Sequence, residues 1–355
     1  MRGAPRRILG RPLRKELDKK SRMRDGGISQ ATEQMGGDGA LLNHHGWAKR
    51  WTDRRVSCDY ARAALKLSGT GQDPRSILGR GMAYRTLAWQ AKWRGDFAAA
   101  FDLCLKTEAE VREADNPVIR ADVYSTLGVV HYSRGRLDLA NDATDRGFTI
   151  LEEMSVGGHN EALVDLHVTK ATIQRYSGET ARANLSLSRA HDLATGHCVP
   201  RVKHNIARYL LADRKIDRAH EFITDAMELA INSRNRTLLP YLHEVLGAVL
   251  VRMKNYDEAL QSFERGEKIA RADEDKRAEC QILLECGRLE MSRDCVDRAL
   301  RYYNRGTSIA WELGYQLWRK TYCLALAEAY EKKGDLAKAL KQHKLAWQIA
   351  ERNKR

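Results

Sequence analysis

The 355-residue sequence contains no apolar run of about 18 residues, so it offers no helix fit to cross a bilayer. Proline is scarce, six in all, and no Ser/Pro-rich stretch separates unlike halves, which argues against separate globules and for one extended architecture. The seven cysteines, Cys58, Cys104, Cys198, Cys280, Cys286, Cys295 and Cys323, are odd in number and never take C-x-x-C spacing. They read as reduced thiols of a cytosolic protein rather than a disulfide framework. Neither a G-x-x-x-x-G-K-[ST] phosphate loop nor a G-x-S-x-G nucleophile elbow occurs, so the sequence offers no catalytic motif. His197, Cys198 and His204 form the one grouping with a metal-ligand character, and no second thiol or carboxylate completes it. No metal and no cofactor is expected, and the chain reads as a binding protein rather than an enzyme.

What is present is positive charge. The net charge is +14, and residues 1–38 carry ten Lys/Arg against five Asp/Glu, so +5 lies there and +9 in the rest. That opening segment has no sustained apolar period and is expected to be a disordered basic tail, with Met23 or Met35 an alternative start. Residues 39–355 are expected to form a single domain.

Within that domain the sequence repeats. A polar turn followed by x-x-Ala, with small or apolar residues four and seven positions on, recurs at Ala100, Ala140, Ala183, Ala219, Ala259, Ala299 and Ala339. The steps are 40, 43, 36, 40, 40 and 40 residues, and a weaker copy anchors at Ser57. Twelve residues before each anchor from Ala100 onward stands a small residue: Ala88, Gly128, Ala171, Ala207, Gly247, Gly287 and Ala327. Small residues at both places let two antiparallel helices approach closely. Gly95, Gly135, Gly178 and Gly334 fall in the turn between them, and Pro74, Pro117, Pro200 and Pro240 near the start of new helices. The fold class predicted is all-α: a solenoid of about eight helical hairpins.

These residues resemble the tetratricopeptide repeat. Tyr124, Leu127, Gly128, Gly135 and Ala140 match its pattern, as do Leu246, Gly247, Ala259 and Phe263, and Leu326, Tyr330, Gly334, Ala339 and Ala346. The third and fourth complete copies depart from it, with Lys170 at the usual Leu position and Arg214 in place of the turn glycine. A period near 40 rather than about 34 resembles the longer repeats of bacterial signalling proteins. In those proteins such arrays precede diguanylate cyclase, kinase or transcription-factor output domains. "MGGDG" at 35–39 echoes the cyclase Gly-Gly-Asp but lacks the following acid pair.

The resemblance implies that the first helix of each hairpin lines a concave groove. Arg85, Trp89, Lys92, Tyr132, Arg175, Arg201, His204, Asn205, Arg208, Arg252 and Arg288 are the candidate partner-binding residues, and Glu328 and Glu331 make the far end acidic. The chaperone-binding members of the family use a Lys and Asn clamp, which Arg85 and Trp89 do not reproduce. The expected partner is a peptide or protein segment, with acidic character, bound by a scaffold or sensor module in bacterial signalling. Nucleic-acid association through the basic tail and groove is the alternative, as is a sensor array left from a diguanylate cyclase. Oligomeric state is not readable from the sequence.

Overall fold

The computed structural model describes residues 28, 30–32, 37–114, 116–153 and 160–352. Most of the expected tail, including Met23 and Met35, lies outside the described residues. Within it, residues 28 and 30–32 are helical and Ala31 is buried.

Among the described residues eight hairpins follow. They pair α1 (Gly39–Lys49) with α2 (Arg54–Ser68), α3 (Pro74–Arg94) with α4 (Phe97–Ala114), and α5 (Pro117–Ser133) with α6 (Leu137–Glu152). Next come α7 (Asn160–Tyr176) with α8 (Thr180–Leu193), α9 (Cys198–Ala212) with α10 (Ile216–Asn232), and α11 (Leu239–Arg252) with α12 (Tyr256–Ala272). The last are α13 (Lys276–Ser292) with α14 (Val296–Glu312), and α15 (Gln316–Lys333) with α16 (Leu336–Arg352). Asp38, Asp53 and Asp73 cap the first three helices by accepting from backbone N–H groups. The aspartate of "MGGDG" is therefore a helix cap. Among the described residues no helix is long and apolar enough to cross a membrane.

The repeat positions act as the spacing requires. Each anchor, from Ser57 to Ala339, is the fourth residue of the second helix of its hairpin, and all eight are buried. Within a hairpin the residue four beyond the anchor fills the space left by the small residue opposite. A methyl group added at Gly287 would come within 2.0 Å of the Tyr303 ring, and one at Gly247 within 2.3 Å of Phe263. Between hairpins the roles reverse, and the residue seven beyond the anchor leaves the space. Gly306 admits Tyr322 of the next hairpin, whose hydroxyl donates to the Cys280 carbonyl. At these glycines helix contact thus rests on one device, an absent side chain whose space a neighbouring side chain fills.

The turns show where the sequence tolerates strain. Gly95, Gly135, Gly178 and Gly334 take positive φ, as expected of a left-handed helix end. Arg214, Lys254 and Asp294 occupy the same place in other hairpins at φ of 59°, 65° and 64°. Arg234 and Glu274 do so in the turns between hairpins.

The array also closes on itself. The turn between α10 and α11 meets the first hairpin: the Thr237 N–H donates to the Trp51 carbonyl at 3.1 Å and its hydroxyl to the Arg50 carbonyl at 3.0 Å. One hairpin further on, Asp275 accepts from Arg54 Nη1 at 2.7 Å and from the Tyr241 hydroxyl at 3.1 Å, with both carboxylate and guanidinium buried. Beyond that, Tyr315 packs edge-on against Phe97 at 5.1 Å and Tyr132 at 6.3 Å. The superhelix therefore seats its early hairpins on the later inter-hairpin turns.

Two substitutions test this packing. Gly287→Val should lower unfolding stability by about 1–3 kcal/mol through overpacking against Tyr303, and Lys254→Gly should raise it by about 1 kcal/mol by relieving a left-handed backbone. Chemical denaturation of each variant measures both, and equal stabilities would contradict the account.

Candidate functional site

Inside the closed superhelix lies a cavity of about 90 Å³, room for roughly half a dozen waters or one side chain. The first helices of hairpins two to five line one side of it through Lys92, Ser125, Tyr132, Asp165, Thr169, Tyr176, Arg201, His204, Asn205 and Arg208. The later hairpins contribute the starts of their first helices instead: Leu238 and Tyr241, Arg277 and Gln281, Tyr315 and Trp318. This change of register follows from closure, because the coil presents its later turns, not its later helix centres, to the interior.

The candidate residues accordingly divide. Lys92, Tyr132, Arg201, His204, Asn205 and Arg208 meet at the cavity. Trp89 faces inward but is covered by the chain itself, edge-on to Trp51 at 4.8 Å and Trp47 at 6.1 Å. Arg85 is buried beside it, paired with Asp122 at 3.1 Å and stacked 3.8 Å over Trp47. Arg175 is paired with Asp213 and lies over Tyr209 rather than lining the cavity. Arg252 is exposed at the end of α11, and Arg288 is exposed and paired with Glu285. These five were expected in the groove, and the structure places them outside the cavity lining. Arg277, Tyr241 and Tyr315 were missed: Arg277 and Tyr241 lie near helix starts and Tyr315 in a turn, outside the repeat positions used to find the groove.

The cavity is cationic. Arg201 is paired with Asp165, but Lys92, Arg208 and Arg277 have no ion-pair partner within 4 Å among the described residues. Burial pushes the Lys92 ammonium down to about 8, with the Asp165 carboxylate opposing and Arg201 and Arg277 assisting. Burial, then Arg208 and Arg277, holds His204 well below its ordinary range, so the imidazole is neutral at pH 7. Burial also pushes Glu244, behind Arg208, up to about 7 despite the attraction of that guanidinium. Polar atoms of the lining lack partners among the described residues: Trp93 Nε1, Arg201 Nε, His204 Nε2, Arg277 Nε and Gln281 Oε1. Buried polar atoms in a folded protein are ordinarily satisfied, so such a cluster marks a place for a bound group. Most of these atoms are donors, which fits an acceptor-rich, anionic group. No group of three His, Cys, Asp or Glu suited to a metal ion occurs among the described residues.

No family model and no curated protein matches the sequence. Solved structures do match the fold. A Rap protein complexed with Competence and Sporulation Factor is 15% identical, the match covering 89% of this chain and 98% of that one at a TM-score of 0.61. The Rap conjugation gene regulator of plasmid pLS20, in complex with the Phr* peptide, is 16% identical, with 89% and 95% covered and a TM-score of 0.61. Cut9-Hcn1, an APC/C hetero-tetramer, is 13% identical, with 96% and 59% covered and a TM-score of 0.59. The fold is that of a tetratricopeptide-type α-solenoid.

The Lys92 shift has a thermodynamic consequence. The folded state releases this proton near pH 8 and the unfolded state near 10.5, so between those values the unfolded state binds more protons and stability rises with pH. Below pH 8 the full penalty is present. Lys92→Met should therefore stabilise the protein at pH 7 by on the order of 3 kcal/mol and flatten the wild-type rise at alkaline pH. Urea denaturation of both proteins across that range measures it, and parallel curves would contradict the shift.

Proposed function

We propose that this protein is a non-catalytic interaction module that receives an acidic group of a peptide or protein segment in its central cavity. The observation that carries this reading is the set of three cations, Lys92, Arg208 and Arg277, lining one central cavity without ion-pair partners among the described residues. Burial penalises the Lys92 ammonium there, and a partner's carboxylate would offset that cost. The surrounding rings of Tyr132, Tyr176, Tyr241, Tyr315 and Trp318 supply rigid contact area, the kind that anchors a partner with little ordering entropy. Two structural neighbours are described in complex with Competence and Sporulation Factor and with the Phr* peptide, which supports a bound segment as the class of ligand. Buried, unpaired thiols and the resemblance to signalling arrays favour a cytoplasmic adaptor or sensor in bacterial regulation.

The test is fluorescence anisotropy with labelled short peptides, one set rich in Asp/Glu and a matched set rich in Lys/Arg. Wild type should bind acidic members selectively, and Arg208→Glu should weaken them by about tenfold or more with helicity unchanged by circular dichroism. Equal affinity of both proteins for every bound peptide would overturn the assignment.

A further inference from the structure

A second basic cleft lies beside the closure, formed where α2 meets the end of α3. Arg54, Cys58 and Arg62 succeed one another at four-residue spacing along α2, and Arg94 near the end of α3 reaches over them, its Nη2 3.5 Å from Cys58 Sγ. With Arg55, Asp59 and the Asp273 and Glu274 turn they line a space of about 190 Å³.

Four guanidinium groups meet three carboxylates there, and the pairing leaves a surplus. Asp59 accepts from Arg62 at 3.2 Å, and Asp273 is held from outside by Arg236 at 3.0 Å. Glu274 stands 3.9 Å from Arg55, which donates to the Ala272 carbonyl at 3.0 Å. Arg94 has no carboxylate within 4 Å among the described residues. Arg54 is buried and gives Nη1 to Asp275 and Nε to Gln90, while its Nη2 has no hydrogen-bond partner among the described residues. The thiol between them supplies no countercharge, because burial pushes Cys58 up despite Arg94, Arg62 and Arg54.

We propose that this cleft binds a small oxyanion of the phosphate class, with Arg94 and the free Nη2 of Arg54 as its main donors and Arg55 and Arg62 at the rim. A tetrahedral oxyanion presents acceptors in diverging directions and suits guanidinium groups arriving from two helices, where a carboxylate offers a single bidentate edge. Bound there, it would link α2 to α3 beside the Arg54 and Asp275 pair and so reinforce the closure.

The test is thermal unfolding followed by circular dichroism, with inorganic phosphate or pyrophosphate titrated against sodium chloride of matched ionic strength. Ligand binding to the folded state raises the melting temperature with concentration. Wild type should show this rise in phosphate or pyrophosphate beyond chloride. Arg94→Ala should shift the half-maximal concentration upward by about tenfold or more, and Arg94→Lys, which keeps the charge without the fork, should fall between. Should Arg94→Ala fail to fold, Arg62→Ala at the exposed rim is the second variant, with a smaller upward shift expected. Arg277→Ala separates this site from the central cavity and should leave the phosphate response unchanged. An equal response in phosphate and chloride, or its loss in Arg277→Ala but not in Arg94→Ala, would overturn the proposal.

Discussion

Asp275 connects parts of the chain that no repeat pattern links. It caps α13 through the Ala278 N–H at 2.9 Å, accepts from the Tyr241 hydroxyl, and pairs with Arg54, 221 residues earlier. Because the pair is buried, either charge left alone would carry an uncompensated desolvation cost of about 3–5 kcal/mol. The contact therefore does more to specify one closed arrangement than to add net stability. An α-solenoid whose hairpins touch only their neighbours can vary its curvature by small steps. Here the contacts at Thr237, Asp275 and Tyr315, on three successive inter-hairpin turns, fix that curvature and bring both ends of the array around one cavity.

Enclosure then sets the chemistry. In an open groove Lys92, Arg208 and Arg277 would be solvated cations of little consequence. Inside the coil, burial shifts Lys92 toward neutrality and Glu244 toward protonation, and both change charge close to physiological pH. The four tryptophans Trp47, Trp51, Trp89 and Trp93 wall off one end, with Arg50 and Arg85 stacked on their faces, so the chain's first hairpin fills part of the space a groove would offer. Edge-to-face pairs of this kind contribute about 0.5–1.5 kcal/mol each beyond burial, which makes this wall a stable element rather than a flexible lid.

The hairpins were legible because each rests on local rules repeated eight times. An anchor such as Ala259 and its partner Gly247 can be read from spacing alone. Half of the site was legible for the same reason: Lys92, His204 and Arg208 lie on first helices at repeat positions, with Arg201 flanking them. The other half was not, because closure joins positions that share no periodic relation. Nothing in the spacing of Arg54 marks Asp275 as its partner, and nothing marks Arg277 as facing Lys92 across the interior. Trp89 shows the converse failure: its repeat position does face inward, yet Trp51, from outside that helix pair, occupies the space in front of it.

Closure of the superhelix is measured most directly by small-angle X-ray scattering of the wild type and of Asp275→Ala in solution. Wild type should scatter as the closed superhelix, and the variant should show a larger radius of gyration with its helical content retained. An extended wild-type particle, or identical compact profiles for both proteins, would contradict it.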